Sequence, residues 1–177
     1  MFNTIIIDNF FDNFELLEHE FKKIPLLSFN ENKEVSEGVK WPGKRSIHLG
    51  KTHPFIWQLT NKEIQQKSGN ERLMYSRWKM NVNTHLRLSE DEKPDYIHTD
   101  PDDITMIVFL SKTNLKSGLN IYDKNKQETQ NIKFVQNRAV LFDGKQFHRS
   151  SLNYGDNIDN GRLTLNCFIN FLWDYMI

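Results

Sequence analysis

The chain has 177 residues, with 23 basic and 23 acidic side chains and a formal net charge of zero. That length is one domain's worth of sequence, able to bury about 70% of the surface its unfolded form exposes. The charge balance argues against a dedicated nucleic-acid or polybasic membrane binder, because neutralising phosphates needs a surplus of Lys and Arg.

Met1-Phe2-Asn3-Thr4 opens the chain without the basic region and long apolar stretch of a signal peptide. No run of about 18 apolar residues offers a transmembrane helix. A soluble cytoplasmic protein with no membrane partner is expected. Ile5-Ile6-Ile7 reads as a short strand. Asp12 through Lys23 reads as a helix: Asp12 caps it, Glu15 completes an Asp version of the capping box, and Pro25 stops it. Phe14, Leu17, Phe21 and Ile24 fall at helical spacing and face the core. Residues 30–50 are polar and turn-rich. They read as an ordered loop, because Trp41 and Ile47 need somewhere to pack. A second helix is expected over Pro54–Lys67, with Thr52 as cap, Pro54 in the first turn and Gly69 just past the end.

After Gly69 the period changes. Trp78, Met80 and Val82 alternate with polar residues, which is strand spacing. Short apolar runs follow at 104–110, 119–122, 132–134, 139–142, 147–152 and 163–172, separated by turn signals such as Lys116-Ser117-Gly118 and Asp143-Gly144. Seven or eight such strands predict an antiparallel sandwich or barrel. The fold class is therefore mainly β with flanking N-terminal helices (α+β): helical support over 1–70, then a jelly-roll-like core over 71–177, in one domain. The single cysteine, Cys167, cannot form an internal disulfide and reads as a small buried hydrophobe.

His98-Thr99-Asp100 places two metal-ligand side chains at i and i+2, which share a face on a strand. His148, just after the Asp143-Gly144 turn, is the candidate third ligand. Two His and one carboxylate make the facial set of non-haem Fe(II) oxygenases, leaving positions open for a 2-oxo acid and dioxygen. The same three residues suit zinc with a bound water, which keeps a zinc hydrolase open as an alternative. Arg162 favours iron: on a strand it shares a face with Thr164 and Asn166. Its guanidinium can grip a carboxylate through two parallel hydrogen bonds while Thr164 adds a hydroxyl.

The order His98-x-Asp100, Ser117-Gly118-Leu119-x-x-Tyr122, Asn137 to Gly144, His148, then Arg162-Leu163-Thr164-Leu165-Asn166 resembles the 2-oxoglutarate–Fe(II) oxygenase superfamily, in particular its prolyl-hydroxylase-like branch of small phage and bacterial members. The likeness covers about residues 78–171. It implies a double-stranded β-helix (jelly roll), Fe(II) on the equivalents of His98, Asp100 and His148, and 2-oxoglutarate on the equivalent of Arg162, with Thr164 at a common hydroxyl position. It also implies use of dioxygen to hydroxylate a C–H bond, with release of succinate and carbon dioxide. A protein side chain or small metabolite fits the neutral charge better than a nucleic-acid substrate. Asn83 is the expected stand-in for the Tyr or Asn that often touches 2-oxoglutarate from a preceding strand. A β-sandwich binding module that kept the fold without catalysis is the other alternative.

The remaining polar residues have blander readings. His19, His48, His53 and His85 read as surface or locally bonded, with lining of the pocket as the alternative for His85. Asp102 and Asp103 read as solvated charges, and Arg77, Lys79 and Arg87 as a solvated sheet face, with contact to an anionic substrate as the alternative. Trp41 and Arg45 belong to a loop packed by its own Trp, or to a lid over the pocket.

Overall fold

The computed structural model describes residues 2–32, 41–91 and 96–172. Its N-terminal part carries β1 (Ile5–Ile7), α1 (Phe14–Lys23), β2 (Leu27–Ser28), β3 (Lys44–Arg45), α2 (Leu49–Thr52), α3 (Pro54–Lys67) and α4 (Glu71–Tyr75). The β-rich remainder is β4 (Trp78–Arg87), β5 (Ile104–Phe109), β6 (Asn114–Tyr122), β7 (Glu128–Phe134), β8 (Ala139–Asp143), β9 (Phe147–Ser150) and β10 (Arg162–Phe171).

Both expected helices form, with different ends. Asn13, in the left-handed region at φ 53°, occupies the α1 cap position and its side chain makes no capping bond. Asp12 instead accepts from Lys67 Nζ at 2.8 Å. That ammonium also pairs with the buried Glu63 carboxylate at 3.0 Å and donates to the Phe10 carbonyl at 2.7 Å. The tertiary ion pair outcompetes the local cap, and it locks α3 against the turn that leads into α1. At α3 the cap position is His53, again without a side-chain bond, because Thr52 closes the short α2 and its hydroxyl pairs with the His53 ring at 2.9 Å. The short α4 is additional to the expected helices; Asn70 caps it by accepting from the Arg72 and Leu73 amides. No helix among the described residues is long and apolar enough to cross a membrane.

Two antiparallel sheets form the core. The larger runs β1-β8-β5-β10-β4-β3-β2 and the smaller β7-β6-β9. The first 70 residues therefore supply three strands of the large sheet as well as helices. Part of the expected loop is one of these: Lys44 and Arg45 pair with Leu86 and His85, and Ser46 exchanges backbone and hydroxyl bonds with Thr84. Residues 33–40 of that loop, and residues 92–95 ahead of His98, lie outside the described residues.

Strand alternation decides which side chains meet which layer. Met80, Val82, Met106, Val108, Leu141, Leu163, Leu165 and Cys167 face the helices and join one core with Phe11, Phe21, Leu49, Ile56 and Ile64. Cys167 is fully buried and its thiol is pushed well above the ordinary range by desolvation, so it stays an inert thiol. On the opposite face Phe109, Val140 and Phe142 meet Leu119, Ile121, Ile132 and Phe134 between the sheets. This second core plugs only one end of the sandwich. Phe109 is fully buried and stacks on Phe134 with centroids 4.4 Å apart. Phe109→Ala is expected to destabilise the fold by about 3–5 kcal/mol, the range for emptying a buried Phe site. Urea unfolding measures this; a loss under about 1 kcal/mol would mean that the plug can collapse into the space.

Candidate metal centre and adjoining pocket

At the other end of the sandwich the inward-facing positions turn polar. His148 is the second residue of β9. His98 lies outside the named strands, in an isolated bridge: its amide donates to the His148 carbonyl at 3.1 Å, and the His148 amide donates back at 2.9 Å. Asp100 follows in irregular chain, its amide donating to the Gly144 carbonyl at 2.7 Å. The expected strand over His98–Asp100 is thus reduced to a single bridge. The pairing across to the 144–148 segment still brings both side chains to one point.

Ligand atoms of His98, Asp100 and His148 all lie within 4.8 Å of one another. His98 Nε2 is 3.9 Å from Asp100 Oδ1, and His148 Nε2 is 3.4 Å from Oδ2. The far side of each ring is anchored the same way. His98 Nδ1 faces the Tyr96 carbonyl at 3.0 Å and His148 Nδ1 the Gln146 carbonyl at 2.9 Å. A carbonyl only accepts, so each Nδ1 carries the proton and each Nε2 directs a lone pair inward. Two ring nitrogens facing one carboxylate form a cluster that a proton or a metal cation would hold together. The donor set thus fits a divalent metal, and its backbone-anchored tautomers are the kind of support such ligands require. Thr105 Oγ1 donates to Asp100 Oδ2 at 2.6 Å, and the Phe142 edge packs on the His148 ring at 4.7 Å. Sequence reasoning misses Thr105, whose only signal is a hydroxyl at the start of the next strand. Thr105→Val is expected to weaken divalent-metal affinity by about 10–100-fold while leaving the fold intact. Calorimetric Mn(II) titration checks this, and unchanged affinity would show that Asp100 is oriented by other contacts.

An inner cavity of about 70 Å³ runs from the triad along β10 and β4 and is lined by Arg162, Thr164, Asn166, His85 and Arg87. Arg162, Thr164 and Asn166 share the pocket face, as their spacing predicts, and all are buried. Arg162 Nη2 donates to the Gly118 carbonyl at 3.3 Å, and its guanidinium lies over Phe134 at 5.6 Å. Gly118 itself is required by the β6–β7 pairing, because a Cβ there would clash with the Ile132 carbonyl. Thr164 Oγ1 bonds Asn166 Oδ1 at 3.0 Å and the His85 carbonyl at 3.3 Å. His85 is 5% exposed, and its Nε2 donates to the Pro42 carbonyl at 2.8 Å. Burial first, and then Arg45, hold its pKa well below the usual histidine value, so it lines the pocket as a neutral ring.

Arg87 departs from its expected place. It is 2% exposed, inside the cavity, whereas Arg77, just before the same strand, and Lys79, near its start, are exposed. Asp102 and Asp103 are not free solvated charges either. Asp102 accepts from Asn170 Nδ2 at 2.5 Å and Asp103 from the Phe171 amide at 2.9 Å, which fastens the segment after the triad to the end of β10.

Asn83 lines a second, outer cavity of about 530 Å³ above the triad, together with Asn81, Trp41, Arg45, Tyr96 and Phe168. Its Oδ1 is buried without a hydrogen-bond partner. Trp41 is buried, stacks edge-on to His85 and carries the Arg45 guanidinium over its ring at 4.8 Å. The two residues form the wall between the cavities.

No protein-family model matches the chain, and no curated protein sequence matches it. Solved structures do. The chain superposes with a TM-score of 0.65 on an oxidoreductase of the 2OG-Fe(II) oxygenase family from Burkholderia pseudomallei, at 9% identity over 94% of this chain and 84% of that one. A prolyl-4-hydroxylase from Pseudomonas putida gives 0.61 at 12% identity, over 94% of this chain and 92% of that one. The epimerase SnoN in complex with Fe3+, alpha ketoglutarate and nogalamycin RO also gives 0.61 at 12% identity, over 94% and 78%. At such identities the likeness is one of architecture: this chain has the double-stranded β-helix fold of the 2-oxoglutarate–Fe(II) oxygenases.

Proposed function

We propose that the chain is an Fe(II)- and 2-oxoglutarate-dependent dioxygenase that hydroxylates a C–H bond of a small metabolite or a protein side chain. The observation that carries this reading is a pairing of two features in one cavity. A carboxylate faced by two Nε2 lone pairs stands at one end, and the buried Arg162 guanidinium stands farther in. A metal alone needs the first. An acid anchored at both ends would use both.

In this reading His98 Nε2, His148 Nε2 and an Asp100 oxygen hold Fe(II), and Arg162 with Thr164 takes the distal carboxylate of 2-oxoglutarate. When bound, iron and 2-oxoglutarate supply the oxidising chemistry, with dioxygen consumed and succinate and carbon dioxide released. The protein's own part is orientation and exclusion of water. The Tyr96 and Gln146 carbonyls fix the ring tautomers, Thr105 fixes the Asp100 carboxylate, and Phe142 and the Phe109–Phe134 stack close the inner end. The outer cavity presents the faces of Trp41, Tyr96 and Phe168 and the amides of Asn81 and Asn83, and opens onto the triad. Its size suits a metabolite or an inserted side chain. Asn83, on that side, is placed to receive a donor from the substrate rather than from the distal end of 2-oxoglutarate.

The test is anaerobic addition of Fe(II) and 2-oxoglutarate to metal-free protein, followed by admission of oxygen. A weak visible absorption band that needs both additions, then slow succinate formation, is the expected result. Zinc-dependent hydrolysis with no need for a 2-oxo acid would replace this reading with a hydrolase. Failure to bind any divalent metal would replace it with a binding module.

A further inference from the structure

We propose that Arg87 is a second guanidinium for the distal carboxylate of 2-oxoglutarate, sharing it with Arg162; this rests on the co-substrate reading above. Arg87 and Arg162 are direct Cα partners across the β4–β10 ladder. Both side chains line the inner cavity, and neither lines the outer one. They are 2% and 3% exposed. Like charges directly opposite on neighbouring strands repel, and burial removes the water that would screen them. An anion that reaches both forks is attracted by both charges.

Neighbouring polar groups aim both forks. Arg87 Nη1 donates to Ser150 Oγ at 3.3 Å. Asn153, its amide oxygen turned to the guanidinium, accepts from Arg87 Nη2 at 2.9 Å and Nε at 3.3 Å. Arg162 donates to the Gly118 carbonyl and lies over Phe134. His85, on the same face of β4, adds no charge of its own. A carboxylate has two oxygens and about four lone-pair sites, which is enough for two guanidiniums.

The position along the sheet fits as well. Gly118 and Ser150 lie on neighbouring strands one residue out of register: Ser150 pairs with Leu119, and the Ser151 amide donates to the Gly118 carbonyl. Ser150 is two residues along β9 from His148, roughly 6.6 Å at ~3.3 Å per residue. The two cations therefore converge where the far end of a short diacid would lie once its 2-oxo acid end reached the triad. A simpler role for Arg87 is a strut from β4 to β9, and the experiment has to separate the two.

Binding of 2-oxoglutarate and of 2-oxobutanoate, which has no distal carboxylate, is measured by calorimetry on Mn(II)-loaded protein for wild type, Arg87→Gln and Arg87→Lys. Arg87→Gln is expected to raise the 2-oxoglutarate Kd by about 10–100-fold, the loss of one or two charge-assisted hydrogen bonds. The 2-oxobutanoate Kd is expected to stay unchanged. Arg87→Lys, which keeps the charge without the fork, should fall between, and it carries the comparison if Arg87→Gln does not fold. Parallel weakening of both acids would make Arg87 a strut and overturn the assignment, as would unchanged 2-oxoglutarate affinity. Wild-type protein that binds neither acid would overturn the co-substrate reading itself, and this assignment with it.

Discussion

Asp100→Asn is expected to lower Fe(II) affinity by more than about 100-fold and to abolish succinate formation, with little change in thermal stability. The substitution keeps the size and the acceptor that Thr105 reaches, and removes only the charge. Charge is the point at issue. With both Nδ1 atoms donating to backbone carbonyls, the two Nε2 lone pairs and the carboxylate form a concentrated acceptor cluster that a divalent cation resolves. Loss of a supporting hydrogen bond around such a site costs about 10–100-fold in affinity, so loss of an anionic ligand should exceed that range. The side chain is only 13% exposed, with His98 Nε2 at 3.9 Å and His148 Nε2 at 3.4 Å, so the substitution acts on the charge inside the ligand cluster. Anaerobic metal titration of both proteins decides the matter. Equal affinity would place the ion elsewhere and remove the basis of the dioxygenase reading.

Arg162→Ala is expected to raise the Kd for 2-oxoglutarate by at least about 100-fold while leaving metal affinity unchanged. Two charge-assisted hydrogen bonds at about 1.5–3 kcal/mol each set the scale. The lower end applies here, because Arg87, Arg162's partner on the neighbouring strand, would keep part of the grip. The turnover measured at saturating 2-oxoglutarate should recover in part, because the 2-oxo acid end would still be held at the triad. Thr164 alone cannot compensate, since one hydroxyl supplies a single neutral hydrogen bond where the guanidinium supplies two charge-assisted ones. Titration of the variant with 2-oxoglutarate gives the answer; an unchanged Kd would mean that the buried guanidinium is structural and that the distal carboxylate lies elsewhere.

Much of this site is legible in the residues themselves. Period-two alternation in 78–87 and 162–171 fixes which side chains share a face, so spacing alone groups Arg162, Thr164 and Asn166. The same alternation places Asn83, His85 and Arg87 on one face with Arg77 and Lys79, and there it stops being informative. Parity states the face of the sheet but not the depth along it. Residues 77 and 79 lie at the exposed start of β4, whereas Arg87, eight residues after Lys79, is at the closed end beneath the small sheet. Charge points toward solvent for all three, and burial decides otherwise for one.

Local signals also misplace both helix caps. Asp12 and Thr52 have the right chemistry to cap, but each finds a partner brought by the fold or by the preceding turn: Lys67 from 55 residues away, and the His53 ring. The strands at 27–28 and 44–45 carry no alternation because two residues are too few to show one; β3 adds to the side of β4 and β2 adds to β3 as the edge of the sheet.

The sequence by itself determined the order of the two longer helices and of the core strands, the metal-ligand types at positions 98, 100 and 148, and the face that carries Arg162, because these follow from side-chain type and a period of two or 3.6 residues. Only the tertiary structure decided that His98 reaches the site through a single bridge to His148, that Thr105 orients Asp100, and that Asn83 belongs to the outer cavity. It also put two arginines, 75 positions apart in the chain, opposite each other in one buried pocket. Each of these depends on which strands become neighbours and how far along them a residue lies, and that is settled by long-range pairing, to which local periodicity is blind.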